Sequence, residues 1–320
     1  MKTIFKGSAL IGALALGLLA PTLLKAMTFD SIVVFGGSVS DSGNFFALFG
    51  IANEPPYDEL DMLLVPTGPY AVGGHHSSNG PTWIEQFANG EMNRYVQPAF
   101  RSANPHAANY AVAGARSTDV PLTIDMPQQI DQFLKDRGGV APGDALYVID
   151  FGGNDVRDAL TVALMGGNPD PIIQAAGLSI FSNIMRLYNA GARKFLILNV
   201  ADIGEIPSIR ILDNLYQAGG TIMQGATDLS EGLNDWVGFL LTLLPANVEI
   251  AKLDVLGTVR ELVAHPSAHG LLNVTDACIT PNVPPFRCEN PDQFLFWDGI
   301  HPTKVVQAIF AQEAADALGQ

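Results

Sequence analysis

Short, continuous apolar runs that end in glycine or polar residues constrain the fold of this 320-residue chain most strongly. Such runs are typical of strands that a parallel sheet buries on both faces. Segments with helical patterns separate them, and this order favours parallel pairing with right-handed crossovers. We therefore predict an α/β fold, a three-layer α/β/α sandwich around a mostly parallel sheet. The predicted strands are Ser31–Phe35, Asn109–Val112, Ala145–Phe151, Lys194–Val200 and Val248–Leu253.

The segments between these runs indicate a single domain. The predicted helices are Thr82–Ala88, Pro127–Lys135, Pro171–Tyr188, Asn214–Leu244 with an interruption at Gly219-Gly220, and Lys304–Leu318. Residues 53–80 are rich in Pro and Gly and are predicted to form a long loop, and loops of that length in a compact domain are usually functional. No internal repeat or linker divides the chain, so we predict one domain over residues 27–320.

The first residues have the pattern of a signal peptide. Lys2 and Lys6 precede an apolar run from Ala9 to Leu24. A positive segment followed by an apolar one is the pattern that the secretion machinery reads, and we expect cleavage after Ala26. The alternative is a retained N-terminal anchor, because the run is nearly long enough to span a bilayer. We predict a signal peptide over residues 1–26, a secreted or periplasmic location, and no stable membrane insertion of the cleaved protein.

Two cysteines, Cys278 and Cys288, lie in a stretch rich in Pro and Asn. In a secreted protein, two cysteines at this spacing are predicted to form one disulfide that closes a short loop. No histidine lies near enough in sequence to complete a zinc site.

Charge and motif searches exclude several classes of function. The net charge of −15 and the absence of a basic stripe exclude a nucleic-acid-binding surface. No H-E-x-x-H spacing, no G-x-G-x-x-G after a strand and no Walker-type lysine occur. We therefore expect neither a metal nor an organic cofactor. A cationic or neutral small substrate is compatible with the acidic composition, and we expect a small-molecule or lipid ester.

Polar residues that follow the predicted strands point to acyl transfer, because ligands bind beyond the carboxyl ends of parallel strands. Ser38 follows the first strand, Gly114 and Asn154 follow later ones, and Asp298 and His301 share a turn before the last helix. Acyl transfer needs a nucleophile, a base, a group that orients the base, and donors for the oxyanion. These residues can supply all four parts. The sequence places no comparable set of site residues beside the other histidines, which are His75, His76, His265 and His269.

These blocks resemble the GDSL, or SGNH, family of esterases and lipases. Residues 35–44 read FGGSVSDSGN where the family has F-G-D-S-L-S-D-S-G-N, and residues 78–83 resemble the S-N-G-P-x-W stretch of secreted bacterial members. From the residues alone, Ser40 or Ser42 could equally be the nucleophile. The resemblance implies that Ser38 is the nucleophile and that Ser38, Gly114 and Asn154 form the oxyanion hole. It also implies that Asp298 and His301 complete the triad. The G-x-S-x-G motif of α/β-hydrolases is absent.

One position departs from the family pattern: Gly37 stands where relatives carry the Asp of G-D-S. Losing that carboxylate removes a hydrogen-bonding group beside the nucleophile.

We predict a secreted ester hydrolase that acts through a serine acyl-enzyme. The alternatives are an acyltransferase that uses the same acyl-enzyme, and a weakened or non-catalytic binding protein that retains the pocket. Trp297, next to the Asp298 turn, would suit a choline ester if it faced the pocket, whereas the competing interpretation is that it only packs the turn.

Overall fold

A four-stranded parallel sheet forms the centre of the protein, as seen in a computed structural model that describes residues 26–91, 96–100 and 108–320. The strands follow one another across the sheet in chain order and in continuous register. They are β1 Ser31–Gly36, β2 Ala145–Asp150, β3 Lys194–Leu198 and β4 Glu249–Leu253. The predicted α/β class is therefore confirmed. Apart from Ala26, the predicted signal peptide lies outside the described residues.

Nine helices connect and cover these strands in the described part of the chain. They are α1 Asn44–Phe49, α2 Trp83–Glu91, α3 Met126–Asp136, α4 Gly153–Leu164, α5 Asp170–Ala190, α6 Pro207–Leu215, α7 Thr221–Leu241, α8 Val255–Ala264 and α9 Lys304–Leu318. The predicted segment 214–244 is thus divided between α6 and α7, and the break contains Gly219 and Gly220, both at positive φ. Left-handed backbone of this kind favours glycine and ends a helix.

Both faces of the sheet are buried over most of β1, β2 and β3, which explains why these strands are apolar at nearly every position. The edge strand β4 differs, since its Glu249 and Lys252 are exposed. Alternate side chains of a strand point to opposite faces. Val34 and Leu196 belong to the core cluster that contains residues of α2 and α9. Phe35 and Phe195 belong to a second cluster with residues of α3 and α5. The sheet therefore lies between two layers of helices.

The segment Asn109–Val112, predicted as a strand, does not form one. It runs beside β1 with a single isolated bridge between Val34 and Asn109. The N–H of Gly36, which a longer ladder would need, instead donates to Gln129 Oε1 at 2.9 Å. The strand prediction is wrong because a side chain from α3 occupies the hydrogen-bonding position at the end of β1.

A second, smaller parallel pair lies near the C-terminal end of the chain, between β5 Asn273–Ala277 and β6 Phe294–Phe296. The structure contains the predicted disulfide between Cys278 and Cys288 just after β5. The backbone N–H of Cys278 donates to the carbonyl of Phe296 at 3.0 Å. This disulfide-bonded loop is thereby tied to the residues that precede the Asp298 turn.

No helix in the described ranges is long and apolar enough to cross a membrane. The segment 53–80 contains turns and isolated bridges but no helix or strand, as its composition predicts.

Removing the disulfide tests its contribution to stability. Replacing both cysteines in the double variant Cys278→Ala, Cys288→Ala frees a loop with a sequence separation of 10 residues. Loss of a disulfide that closes a loop of this size is expected to lower the unfolding free energy by about 3 kcal/mol. Urea denaturation of the variant and the wild type measures this difference. Dithiothreitol should destabilise the wild type by a similar amount and leave the double variant unchanged. Equal stability of the wild type and the double variant would contradict this expectation.

Candidate active site

Ser38 lies two residues beyond the carboxyl end of β1 and contacts a histidine from the other end of the chain. Its Oγ is 2.8 Å from Nε2 of His301. The two residues are 263 positions apart in sequence, so only the fold brings them together. The contact is within the range for a nucleophile and its general base.

The other ring nitrogen of His301 faces Asp298. His301 Nδ1 lies 2.8 Å from Asp298 Oδ2, and Asp298 Oδ1 accepts from the N–H groups of Ile300 and His301, each at 2.7 Å. An ionised carboxylate can only accept, so it favours the tautomer with the proton on Nδ1. Nε2 is then free to accept a proton from Ser38. Asp298 is fully buried, and His301 is nearly so.

Tyr70, in the long loop, is a site residue that the sequence did not reveal. Its hydroxyl donates to Asp298 Oδ2 at 2.7 Å. Burial, together with the neighbouring Asp298, raises the pKa of Tyr70 well above its ordinary value, so the phenol remains a donor. The Trp297 ring packs edge-on against the Tyr70 ring, with centroids 5.7 Å apart. Trp297 is buried in this contact and lines neither cavity next to Ser38.

Three hydrogen-bond donors converge near the serine. No described hydrogen bond uses the backbone N–H of Ser38 or of Gly114. Gly114 adopts φ +83°, a conformation that favours glycine. Asn154, in the first turn of α4, donates one amide hydrogen to the carbonyl of Ala115 at 2.9 Å, which leaves its second hydrogen available. This arrangement can receive the negative oxygen of a tetrahedral intermediate.

Asp41 joins the two turns that carry these donors. Its Oδ1 accepts from the N–H groups of Gly43 and Asn44, and its Oδ2 accepts from those of Phe45 and Ala113, at 2.6–3.0 Å. Burial raises the pKa of this carboxyl, whereas the four backbone bonds lower it. The spacing of Ser38 and Asp41 thus has a local reason, since Asp41 holds the Ser38 turn against the Gly114 turn.

Asp150, the last residue of β2, is a second acid that sequence reasoning missed. Its Oδ2 accepts from Ser40 Oγ at 2.6 Å, and Ser40 Oγ accepts from Trp83 Nε1 at 2.9 Å. Burial raises the pKa of Asp150 from 3.8 to about 6, and the Ser40 hydrogen bond opposes part of that rise. Ser40 is therefore committed to this buried chain and does not face His301.

Two cavities meet at Ser38. The inner cavity has a volume of about 120 Å³ and is lined mainly by apolar side chains, with Asp150 and Asp202 as its acids. Its apolar lining includes Leu198, Val200, Ile203, Ile206, Val255, Val259, Leu295, Phe296 and Phe310. The outer cavity, of about 100 Å³, lies between His301, Gly114 and residues 65–68 of the long loop. Arg157 lines both cavities.

The remaining histidines lie away from this site. His76 pairs with Glu85 at 2.9 Å; burial lowers the pKa of His76, but Glu85 outweighs that effect and the pKa is raised. His75 stacks on Phe46, with ring centroids 3.6 Å apart. His265 and His269 both contact Glu261. Within the described residues, no group of three His, Cys, Asp or Glu side chains is arranged to hold a metal ion.

Comparison with known proteins gives a consistent match over the chain. The family model described as GDSL-like Lipase/Acylhydrolase matches residues 32–314. GDSL esterase/lipase At1g71691 of Arabidopsis thaliana is 30% identical, over 92% of this chain and 84% of that protein. GDSL esterase/lipase 5 of Arabidopsis thaliana is 27% identical, over 88% of this chain and 81% of that protein. Among solved structures, the extracellular lipase from Streptomyces rimosus is 13% identical with a TM-score of 0.41, covering 89% of this chain and 99% of that chain.

The raised pKa of Asp150 predicts a pH-dependent cost to stability. A carboxyl with a higher pKa in the folded state stabilises the fold below about pH 4, and this contribution is lost as pH rises to about 6. The Asp150→Asn variant keeps an acceptor for Ser40 without the charge. At about pH 7.5 we expect its unfolding free energy to exceed that of the wild type by about 1–3 kcal/mol.

Urea denaturation between about pH 4 and pH 7.5 measures this effect. The matched control is Asp144→Asn, because Asp144 is exposed and directly precedes the same strand. The two substitutions make the same change in charge, but only Asp150→Asn should flatten the pH dependence. Parallel pH profiles for both variants and the wild type would contradict the assignment.

Proposed function

Because this chain belongs to the GDSL-like lipase/acylhydrolase family, it is a serine ester hydrolase, and we propose that Ser38, His301 and Asp298 carry the reaction. The observation that supports this assignment is the continuous chain of contacts from Ser38 Oγ through the His301 ring to Asp298, at 2.8 Å on each side of the ring. Asp298 orients the ring and stabilises the imidazolium that forms during the reaction.

In the proposed first half-reaction, Ser38 Oγ attacks the ester carbonyl carbon while its proton passes to His301 Nε2. The carbonyl oxygen becomes an oxyanion held by the N–H groups of Ser38 and Gly114 and by the Asn154 amide. When the intermediate collapses, His301 gives the proton to the departing alcohol oxygen. An acyl group is then left on Ser38 as an ester.

In the second half-reaction, a water molecule attacks the acyl carbonyl and His301 accepts its proton. The tetrahedral intermediate uses the same donors. Its collapse breaks the bond to Ser38 Oγ, which regains the proton from His301, and the carboxylic acid is released. The chemistry proposed here uses side chains and backbone groups of this chain alone.

The two cavities suggest how the ester is oriented. His301 lines the outer cavity and not the inner one. Since His301 must reach the alcohol oxygen to protonate it, the alcohol part is proposed to occupy the outer cavity. The acyl chain then occupies the inner cavity, whose lining is mainly apolar and therefore favours a hydrocarbon chain. We also propose that residues 27–320 form one catalytic domain, secreted or periplasmic, after removal of a signal peptide.

The proposed roles predict a sharp loss of activity in single variants. Ser38→Ala and His301→Ala should each lower kcat for p-nitrophenyl acetate by at least about 10³-fold, because each removes a reacting group. Ser267→Ala is the matched control, since Ser267 is exposed on a short helical turn outside the site. A fluorophosphonate should label the wild type on the peptide that contains Ser38.

Mass spectrometry separates Ser38 from its neighbours. Ser40 donates to Asp150, and Ser42 Oγ accepts from Asn109, so neither should be labelled. Labelling of either, or full activity of Ser38→Ala, would overturn the proposed nucleophile. Absence of both hydrolysis and labelling in the wild type would favour a binding protein.

Restoring the family aspartate at position 37 tests whether this chain lacks a useful group. A Cβ added to Gly37 would lie 3.7 Å from Asn154 Nδ2 and 3.9 Å from the carbonyl oxygen of Ala115, which are ordinary contacts. Gly37→Asp should therefore fold and place a carboxylate in the turn that carries Ser38. We expect kcat to rise by up to about tenfold, the equivalent of one charge-assisted hydrogen bond of about 1.4 kcal/mol.

Gly37→Ala is the matched control, because it adds the Cβ without the carboxylate. It should leave kcat near that of the wild type. A lower kcat in Gly37→Asp than in Gly37→Ala would contradict the expectation and indicate that the Asp150–Ser40 chain already supports this turn.

A further inference from the structure

Arg157 is a cation next to the reacting atoms for which the proposed mechanism has no use. It follows Asn154 by three residues on α4 and lines both cavities that meet at Ser38. Its side chain is half-buried. A guanidinium in such a place needs a hydrogen-bonding partner to offset its loss of hydration.

No described carboxylate supplies that partner. Asp158, the adjacent acid, pairs with Arg116 at 2.9 Å. Asp298 is occupied by Tyr70, His301 and backbone N–H groups. The one hydrogen bond of the Arg157 guanidinium to a described residue is to Asn154 Oδ1, and at 3.4 Å it is long. The guanidinium therefore retains donors that face the cavities.

Burial adds to the cost of this arrangement. It lowers the pKa of the Arg157 guanidinium, as does the nearby charge of Arg116, whereas Asp158, Asp298 and Asp61 counter part of that change. A half-buried guanidinium beside two cavities has a physical reason to be there if an anion binds to it.

The lining of the cavities determines where an anion can bind. The inner cavity contains Asp150, which repels an anion when it is ionised, and Asp202, which is paired with Arg260 at 2.7 Å. Among the described residues that line the outer cavity there is no acid, and its polar members include Thr67 and Ser77. An anion beside Arg157 is therefore favoured in the outer cavity.

We propose that Arg157 selects esters whose alcohol part carries an anionic group, a carboxylate, phosphate or sulfate, by pairing with that group in the outer cavity. This inference rests on the proposed function, which places the alcohol part on the His301 side. The planar guanidinium can donate two parallel hydrogen bonds to any of these oxyanions. Arg157 is thus a specificity-determining residue and not part of the triad or the oxyanion hole.

The test compares two acetate esters that differ in charge at one position of the alcohol part, para-acetoxybenzoate and para-acetoxybenzamide. Acetate release gives kcat/KM for each ester, and the ratio of the two values measures preference for the anion. In Arg157→Gln we expect this ratio to fall by roughly tenfold or more, because a hydrogen-bonded charge pair is lost. Arg157→Lys should lose less, since it retains the charge without the planar fork.

A control variant and a comparison of kcat values separate recognition of the anion by Arg157 from a change in net charge and from a role in positioning Asn154. Arg186→Gln makes the same change in net charge on α5, where Arg186 contacts Asp131 and Asn183, and it should leave the ratio unchanged. If Arg157 merely positions Asn154, Arg157→Gln should lower kcat for both esters equally and leave the ratio as in the wild type. That result would overturn the proposal.

A second ester pair tests on which side of Ser38 the anion binds. A p-nitrophenyl hemisuccinate and a p-nitrophenyl butyrate differ by a carboxylate on the acyl part. A fall in the ratio for this pair alone would place the anion in the inner cavity and overturn the assignment.

If Arg157→Gln does not fold, inhibition of the wild type takes its place. The competitive inhibition constants of para-hydroxybenzoate and para-hydroxybenzamide are compared, and equal constants would refute the proposal. Failure of the wild type to hydrolyse even p-nitrophenyl acetate would instead refute the proposed function.

Discussion

The buried carboxylate of Asp41 is the constraint on which the rest of the candidate site depends. It accepts four backbone N–H groups, three from the start of α1 and one from Ala113. The turn after β1 and the turn that carries Gly114 are thereby held together, although they are about seventy residues apart in sequence. Backbone groups in these turns would otherwise lose water without gaining a partner.

Two asparagines extend this constraint to the segment beside β1. Asn44 Nδ2 donates to the carbonyl groups of Asn109 and Ala111, each at 2.8 Å. Asn109 Nδ2 donates in turn to Ser40 O and Ser42 Oγ. Three backbone hydrogen bonds still join this segment to β1, from Val34 N–H to Ala108 O, from Tyr110 N–H to Val34 O and from Val112 N–H to Gly36 O. Asn44 satisfies carbonyl groups on its other edge, and Gln129 takes the remaining N–H of Gly36. Polar side chains therefore complete the hydrogen bonding at this edge of the sheet.

The histidine side of the site is held by a different part of the chain. The long loop contacts it at several points. The hydroxyl of Tyr70 donates to Asp298, the Leu64 carbonyl accepts from Gly299 N–H at 2.9 Å, and Ser78 Oγ donates to the carbonyl of Pro302 at 2.8 Å. The disulfide-bonded loop packs against the same region in a cluster with Tyr57 and Trp297. The site is thus assembled from loops that buried hydrogen bonds and one covalent bond restrain. Two charged residues lie beside Ser38. Asp150 lines the mainly apolar inner cavity, and Arg157 lines both this cavity and the outer one, which has no acid among its described residues.

The sequence by itself determined the features that depend on local pattern. Apolar runs predicted β1, β2 and β3, because burial on both faces requires apolar residues at successive positions. The segment of β4 was also predicted, although its Glu249 and Lys252 are exposed at the edge of the sheet. The family blocks predicted which serine, histidine and aspartate would meet. The contact between Asp298 and His301 is local, because the two residues are three positions apart in one turn. The missing carboxylate at Gly37 was visible in the same way.

Only the tertiary structure decided which contacts join distant segments. Gln129 prevents a fifth strand, Tyr70 supports Asp298 across 228 residues, and Arg157 faces the outer cavity without a carboxylate partner among the described residues. No local pattern encodes these pairings, because each depends on packing that brings separate elements within hydrogen-bond distance or leaves a charge beside a cavity.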